Sequence, residues 1–236
     1  MSPDGKFLIF VSSRPIEEHG KPIDGHFNKS TQPGQGGNLW RVDRTPSGWS
    51  KPWRLPALVN RSTSIFAPSV VADGIVYFME SNVETGRFRI FRSQWKDGAY
   101  QAPEAAGFSD GSYSDVDPAV APDESFVVFA SNRPPAGKPV GMDLFISFRD
   151  NGAWQNPIHL GNVVNSPTSD AEARLSPDGK TLYFSSERLV RVEQPISSTQ
   201  AEQYIEDMEW NNGLYNIWQV SLQPWLKAHA VSVKGK

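Results

Sequence analysis

The sequence predicts an all-β chain: a β-propeller of four-stranded antiparallel blades, about four blades in a single domain over residues 1–236. Three observations lead there. A turn of the Ser-Pro-Asp-Gly type recurs along the chain, a short alternating strand follows each copy, and the same landmarks follow each strand. Sandwiches also contain many short strands, but a recurring four-strand cassette is the signature of a propeller blade.

The clearest copy is Ser176-Pro177-Asp178-Gly179-Lys180, leading into Thr181-Leu182-Tyr183-Phe184-Ser185-Ser186. Proline presets φ at the second turn position, the aspartate side chain bonds local backbone, and glycine accepts a positive φ without steric cost. Leu182 and Phe184 alternate with Tyr183 and Ser185, the period of a strand. Three variants align with it: Ser2-Pro3-Asp4-Gly5 before Phe7–Phe10, Ala72-Asp73-Gly74 before Ile75–Phe78, and Ala121-Pro122-Asp123-Glu124 before Phe126–Phe129. The intervals between Phe10, Phe78, Phe129 and Phe184 are unequal. Insertions of different length into a unit of about 45–50 residues would produce them. The units run over about residues 1–60, 61–111, 112–165 and 166–229, with a tail at 230–236.

Within each unit the turn separates two strands. An inner strand precedes it at Ile65–Val70, Asp115–Val120 and Asp170–Leu175. A third strand follows at Asn38–Val42, Arg89–Arg92, Asp143–Ser147 and Asn216–Val220. A fourth opens on a turn and an aromatic, as in Ser47-Gly48-Trp49, Asp97-Gly98-Ala99-Tyr100 and Asn151-Gly152-Ala153-Trp154. Trp40, Trp49, Trp154 and Trp218 recur at blade positions, so packing between blades accounts for them. Two long hairpin loops, Pro15 to Gly37 and Leu189 to Gly213, fall on one face of such a ring, where a ligand is most naturally met. The first reads as irregular. In the second, Thr199-Gln200-Ala201-Glu202 resembles a capping box and predicts a short helix around Ala201–Trp210.

The ends do not match. The first unit lacks its inner strand and the fourth has no evident outer strand after Leu222. Propellers close by joining their termini in one blade, so the expectation is an N-terminally truncated member of an incomplete five- or six-bladed ring. The alternative is a closed four-bladed ring with Trp225–Val233 bridging the gap.

Composition excludes several functions. A net charge of −3 offers no footprint for nucleic acid or an anionic membrane, and no apolar run is long enough to insert. With no cysteine there is no disulfide, thiolate metal site or cysteine nucleophile. No His-Glu-x-x-His, Gly-x-Ser-x-Gly or P-loop is present, so no metal and no cofactor is expected.

The repeated turn, the strand ends Ser12-Ser13-Arg14, Ser131-Asn132-Arg133 and Ser186-Glu187-Arg188, and the linker Leu160-Gly161-Asn162-Val163-Val164-Asn165-Ser166 together resemble the TolB-like, WD40-like propeller repeats of bacteria. The second unit departs from that pattern at Val71-Ala72-Asp73-Gly74 and Glu80-Ser81-Asn82. The resemblance covers nearly the whole chain and is specific to fold. It implies an exported, periplasmic or extracellular protein, and it leaves open protein binding, scaffolding or gating beside a hydrolase domain.

Candidate ligand-binding residues follow from the inner strands. Asp115, Asp117, Asp170 and Glu172 lie where strands line the central channel, and Arg14, Arg133 and Arg188 end neighbouring strands on the same face. The carboxylates could bind an oxygen-liking cation or act as acid and base. Hairpin counting about residues 122–123 sets Asp115 near Asn132, however, and brings Arg133 within reach, which makes arginine–carboxylate staples the plainer reading. Trp210 is the best exposed aromatic candidate, and His19, His26, His159 and His229 form no metal-ligand pattern. The favoured function is a non-catalytic binding or scaffold propeller for a protein or glycan. A carbohydrate-active or other hydrolase using the channel carboxylates is the alternative, and a regulatory propeller separated from a peptidase is a third.

Overall fold

The computed structural model describes residues 1–17, 19–134, 141–188, 195–207 and 214–234. The first repeat holds β1 (Phe7–Ser12), a small hairpin of β2 (Gly25–Phe27) and β3 (Ser30–Gln32), and β4 (Asn38–Thr45), on which β5 (Gly48–Trp49) and β6 (Trp53–Arg54) both pair. The second holds β7 (Ile65–Val70), β8 (Val76–Ser81), β9 (Phe88–Ser93), the hairpin β10 (Trp95–Lys96) and β11 (Ala99–Tyr100), and the outer β12 (Glu104–Ala105). The third runs β13 (Asp115–Val120), β14 (Phe126–Ser131) and β15 (Asp143–Asp150), with β16 (Ala153–Trp154) and β17 (Ile158–His159) on β15. The fourth is three-stranded, β18 (Asp170–Leu175), β19 (Thr181–Ser186) and β20 (Asn216–Ser221), with α1 (Ser198–Asp207) before β20 and α2 (Gln223–Lys234) after it. Every ladder between these strands is antiparallel, and the arrangement is a partial β-propeller.

The repeated turns do what their residues dictate. Gly5, Glu124 and Gly179 each donate a backbone N–H to the carbonyl three residues back, at 2.9 Å. Asp4, Asp123 and Asp178 accept the N–H two residues on, at 3.1, 3.0 and 3.1 Å. The second repeat lacks this aspartate bond and tightens into a 3-10 turn in which Asp73 and Gly74 both have positive φ.

The apolar cores lie between repeats. One cluster joins Phe7, Ile9 and Leu39 to Val76 and Phe78; the next joins Tyr77 and Ile90 to Val127 and Phe129; the third joins Leu144 and Ile146 to Leu182 and Phe184. Burying each of these large side chains contributes about 1.5–3 kcal/mol. The linkers lock the joints. Asn60 accepts the Leu39 N–H at 2.7 Å and donates to the Leu39 carbonyl at 3.0 Å, and Asn165 treats Leu144 identically. A side-chain amide thereby acts as one more strand residue. The outward face of the fourth repeat has no such cover: Ile217 is 81% exposed, whereas Leu39, Ile90 and Leu144 at the same register are fully buried.

Three expectations are corrected and one is met. The loop expected to be irregular, Pro15–Gly37, carries the β2–β3 hairpin, which is held in place because Phe27 packs against Phe66 and Phe88 at 5.7 and 6.1 Å and the His26 N–H donates to Ser64 at 2.6 Å. The short helix expected around Ala201–Trp210 is present as α1; residues 208–210 lie outside the described residues. Residues 225–233 bridge nothing; they form α2, which sets Trp225 and Leu226 against the last seam and stacks His229 on Phe148 at 3.9 Å. Trp49 is 43% exposed under Arg44, whereas Trp154 packs on Phe108 and Tyr77 in the seam between the second and third repeats.

Candidate functional site in the central channel

The inner strands β7, β13 and β18 stand side by side around the channel and share one distortion. The register of each shifts after its second residue, between Phe66 and Ser69, Val116 and Ala119, and Ala171 and Arg174. At the bulge, Ala67, Asp117 and Glu172 adopt φ of 48°, 52° and 55°. Left-handed backbone costs a non-glycine residue about 1–2 kcal/mol, so packing of the whole ring holds these residues there. The bulge bends each strand and re-aims one side chain.

That distortion divides the four channel carboxylates into two pairs. Asp115 and Asp170 lie before the bulge and are wholly buried. Asp115 accepts from Ser131 at 2.6 Å and from Arg133 Nη2 at 2.7 Å through Oδ1, and its Oδ2 has no hydrogen-bond partner. Asp170 accepts the N–H and hydroxyl of Ser166 at 2.6 and 2.9 Å, with Arg188 Nη2 3.9 Å away. Each arginine also donates to the linker entering its own repeat, Arg133 to the Phe108 carbonyl at 3.1 Å and Arg188 to the Val164 carbonyl. Their guanidinium groups lie over Phe129 and Phe145, and over Phe184 and Trp218. Arg14 keeps only the stacking, over Phe10 and Trp40 at 5.6 and 5.1 Å, and is exposed. Asp115, Asp170, Arg133 and Arg188 are thus engaged in holding blades together.

Asp117 and Glu172, on the bulge, are adjacent, the first half-buried and the second exposed. The Glu172 N–H donates to Asp117 Oδ2 at 3.3 Å, and the Ser185 hydroxyl donates to the Glu172 carboxylate. Burial pushes the Asp117 pKa up and the Glu172 charge adds to this, against the opposing pull of Arg174 and the Glu172 N–H. The two carboxylates can accept hydrogen bonds from a ligand. Among the described residues no third acid or histidine joins it to make a metal cluster. Toward the turn face the channel opens into a cavity of about 450 Å³ walled by Pro68, Pro118, Val120, Arg174 and the first turn. Trp210, the remaining candidate, lies outside the described residues.

Sequence reasoning missed one ionic centre, at Glu124. This residue occupies the turn position that is glycine in the other repeats, at φ 58°. Its carboxylate accepts from Arg92 at 2.7 and 2.9 Å, from Arg149 at 2.8 Å and from Tyr77 at 2.5 Å. Burial raises the Glu124 pKa, but the bonds from Arg92 and Tyr77 and the two arginine charges outweigh it, and the net shift is downward. Burial and the Glu124 carboxylate push Tyr77 well above its ordinary range. A glutamate in place of a turn glycine was the available signal.

No protein-family model and no curated protein matches the sequence. Solved structures resemble the chain in fold. A chain assigned as a TolB from Agrobacterium tumefaciens is 22% identical, with a TM-score of 0.42 over 75% of this chain and 53% of that one. Hydrazine synthase from Kuenenia stuttgartiensis is 16% identical, with a TM-score of 0.45 over 77% of this chain and 28% of that one. A puromycin-hydrolyzing peptidase from Mycobacterium tuberculosis is 18% identical, with a TM-score of 0.41 over 77% of this chain and 26% of that one. The chain therefore spans about a quarter to a half of their lengths.

Proposed function

We propose that the chain is a non-catalytic binding propeller of an exported protein, taking a protein or glycan at the channel mouth on the face of the long loops. One observation carries this reading: Asp115 is bonded to Arg133 and Asp170 to Ser166 with Arg188 3.9 Å away, and among the described residues Asp117 and Glu172 are the two of the four channel carboxylates with no arginine in such contact. A pair without a metal cluster is suited to accepting hydrogen bonds from amide, hydroxyl or cationic groups. The two carboxylates side by side on the bulge favour one other reading, a hydrolase that uses Asp117 and Glu172 as acid and base.

A panel of aryl glycosides and aryl esters, assayed with the wild type, Asp117→Asn and Glu172→Gln, separates the two. The binding reading expects no turnover above buffer. Turnover abolished by both substitutions would overturn it. Ligand binding on a glycan array or to purified cell-envelope proteins, weakened by Asp117→Ala and Glu172→Ala, is its positive sign.

A further inference from the structure

On the opposite face, between the first and second repeats, lies a cavity of about 500 Å³, within the range of small-molecule sites. Arg41, Phe7, Trp95, Asp73 and Gly74 line it. It occupies the first seam at the level where the next seam holds Glu124. Arg41 on β4 takes the register of Arg92 on β9, and Trp95 takes that of Arg149 on β15. The carboxylate that fills the second seam is missing from the first, because the turn presents Gly74. A Cβ on Gly74 would stand 3.3 Å from the Trp95 side chain, so glycine keeps the tryptophan clear.

We propose that this cavity binds a neutral saccharide of one or two rings. The charges present argue against an ion. Arg41 is closed onto Asp43 through Nε and Nη2 at 2.8 and 2.5 Å, and Asp43 also accepts from Trp53 Nε1 at 2.9 Å. Lys6 is closed onto Asp4 at 2.9 Å. A free anion would meet Asp4 and Asp73, and a free cation would meet Arg41. The remaining groups are an aromatic wall and hydrogen-bonding groups. Tyr100 fixes the Trp95 ring edge-to-face at 4.7 Å. Asp73 makes no hydrogen bond or ion pair among the described residues, and the Arg41 guanidinium, which also lines the cavity, lies 5.4 Å from the Trp95 ring centroid. A sugar ring offers an apolar C–H face for the indole and hydroxyls that both donate to Asp73 and accept from Arg41. The site concerns the turn face and is independent of Asp117 and Glu172.

Calorimetric titration with cellobiose, chitobiose and maltose tests it, with indole N–H shifts by NMR as a second readout. The expectation is saturable binding of at least one disaccharide, weakened at least tenfold by Trp95→Ala and several-fold by Asp73→Asn, an exposed turn substitution that leaves the core untouched. Absence of saturation by all three probes up to about 50 mM, weaker than any useful site, overturns the proposal. So does binding that survives both substitutions. Binding lost only in Asp117→Ala and Glu172→Ala would transfer the glycan to the channel, overturning this site while supporting the binding reading above.

Discussion

The first and second seams of this propeller are made from the same backbone and filled by opposite means. Between the second and third repeats, Glu124 crosses from the turn of one blade to Arg92 and Tyr77 of its neighbour and closes with Arg149. Between the first and second, Arg41 turns back onto Asp43 of its own strand, lies 3.8 Å over Phe7, and leaves space beside Trp95. A backbone repeat thus fixes where a seam side chain stands without fixing what it does. Two differences separate the ionic clamp from the open crevice: Glu124 in place of the turn glycine, and Arg149 where the first seam has Trp95.

The comparison can be broken most forcefully at the clamp. Glu124→Ala leaves two partly buried arginines without a counter-charge and should cost about 3 kcal/mol in chemical denaturation, the range for breaking a buried pair. A loss under about 1 kcal/mol would show that water satisfies the arginines and that the seam rests on its apolar core. Transplanting the clamp is the converse test. Gly74→Glu with Trp95→Arg should stabilise the first seam by about 1 kcal/mol net of the turn strain and fill its cavity. Destabilisation would mean that Trp95 packing outweighs the ion pair.

The clamp should also appear in the pH dependence of stability. The folded-state pKa of Glu124 is depressed, so its contribution is complete above the unfolded value of about 4.3 and disappears as pH falls through the folded value. Tyr77 is raised, so stability falls once pH exceeds the unfolded tyrosine value of about 10, where the unfolded chain ionises first. Melting temperatures from pH 3 to 11 should show both limbs, and Glu124→Gln should flatten the acid one. The smallest effect belongs to the channel. Because Asp117 is raised, the folded state holds its proton more tightly than the unfolded chain, and ionisation at neutral pH opposes folding. Asp117→Asn should therefore raise stability by about 0.5 kcal/mol at pH 7, a modest shift for a half-open group. A decrease would mean that its bond from Glu172 matters more than its charge.

Much of this was legible in the chain. The turns fixed the hairpins, and a hairpin fixes which residues face each other, so counting from Pro122 brought Arg133 to Asp115. The observed partner of Asp115 across the ladder is Ser131, one residue from the counted Asn132. The bulge was not legible, since it is one extra backbone residue with no composition of its own; only Pro68 and Pro118 mark it, and the fourth repeat has Ala173 there. A strict two-residue alternation places Asp115 and Asp117 on one face, and the bulge separates them. Trp49 and Trp154 share a motif and differ in burial because a seam partner depends on the neighbouring repeat, which the local sequence does not record.

The location of the apolar clusters decides how the molecule comes apart. Because each cluster belongs to two repeats, no blade owns a core that could survive the loss of its neighbour. Unfolding should proceed as in a one-dimensional chain of coupled units. Amide exchange would then be slowest in β14 and the buried part of β15, and faster in β20, where Ile217 is exposed.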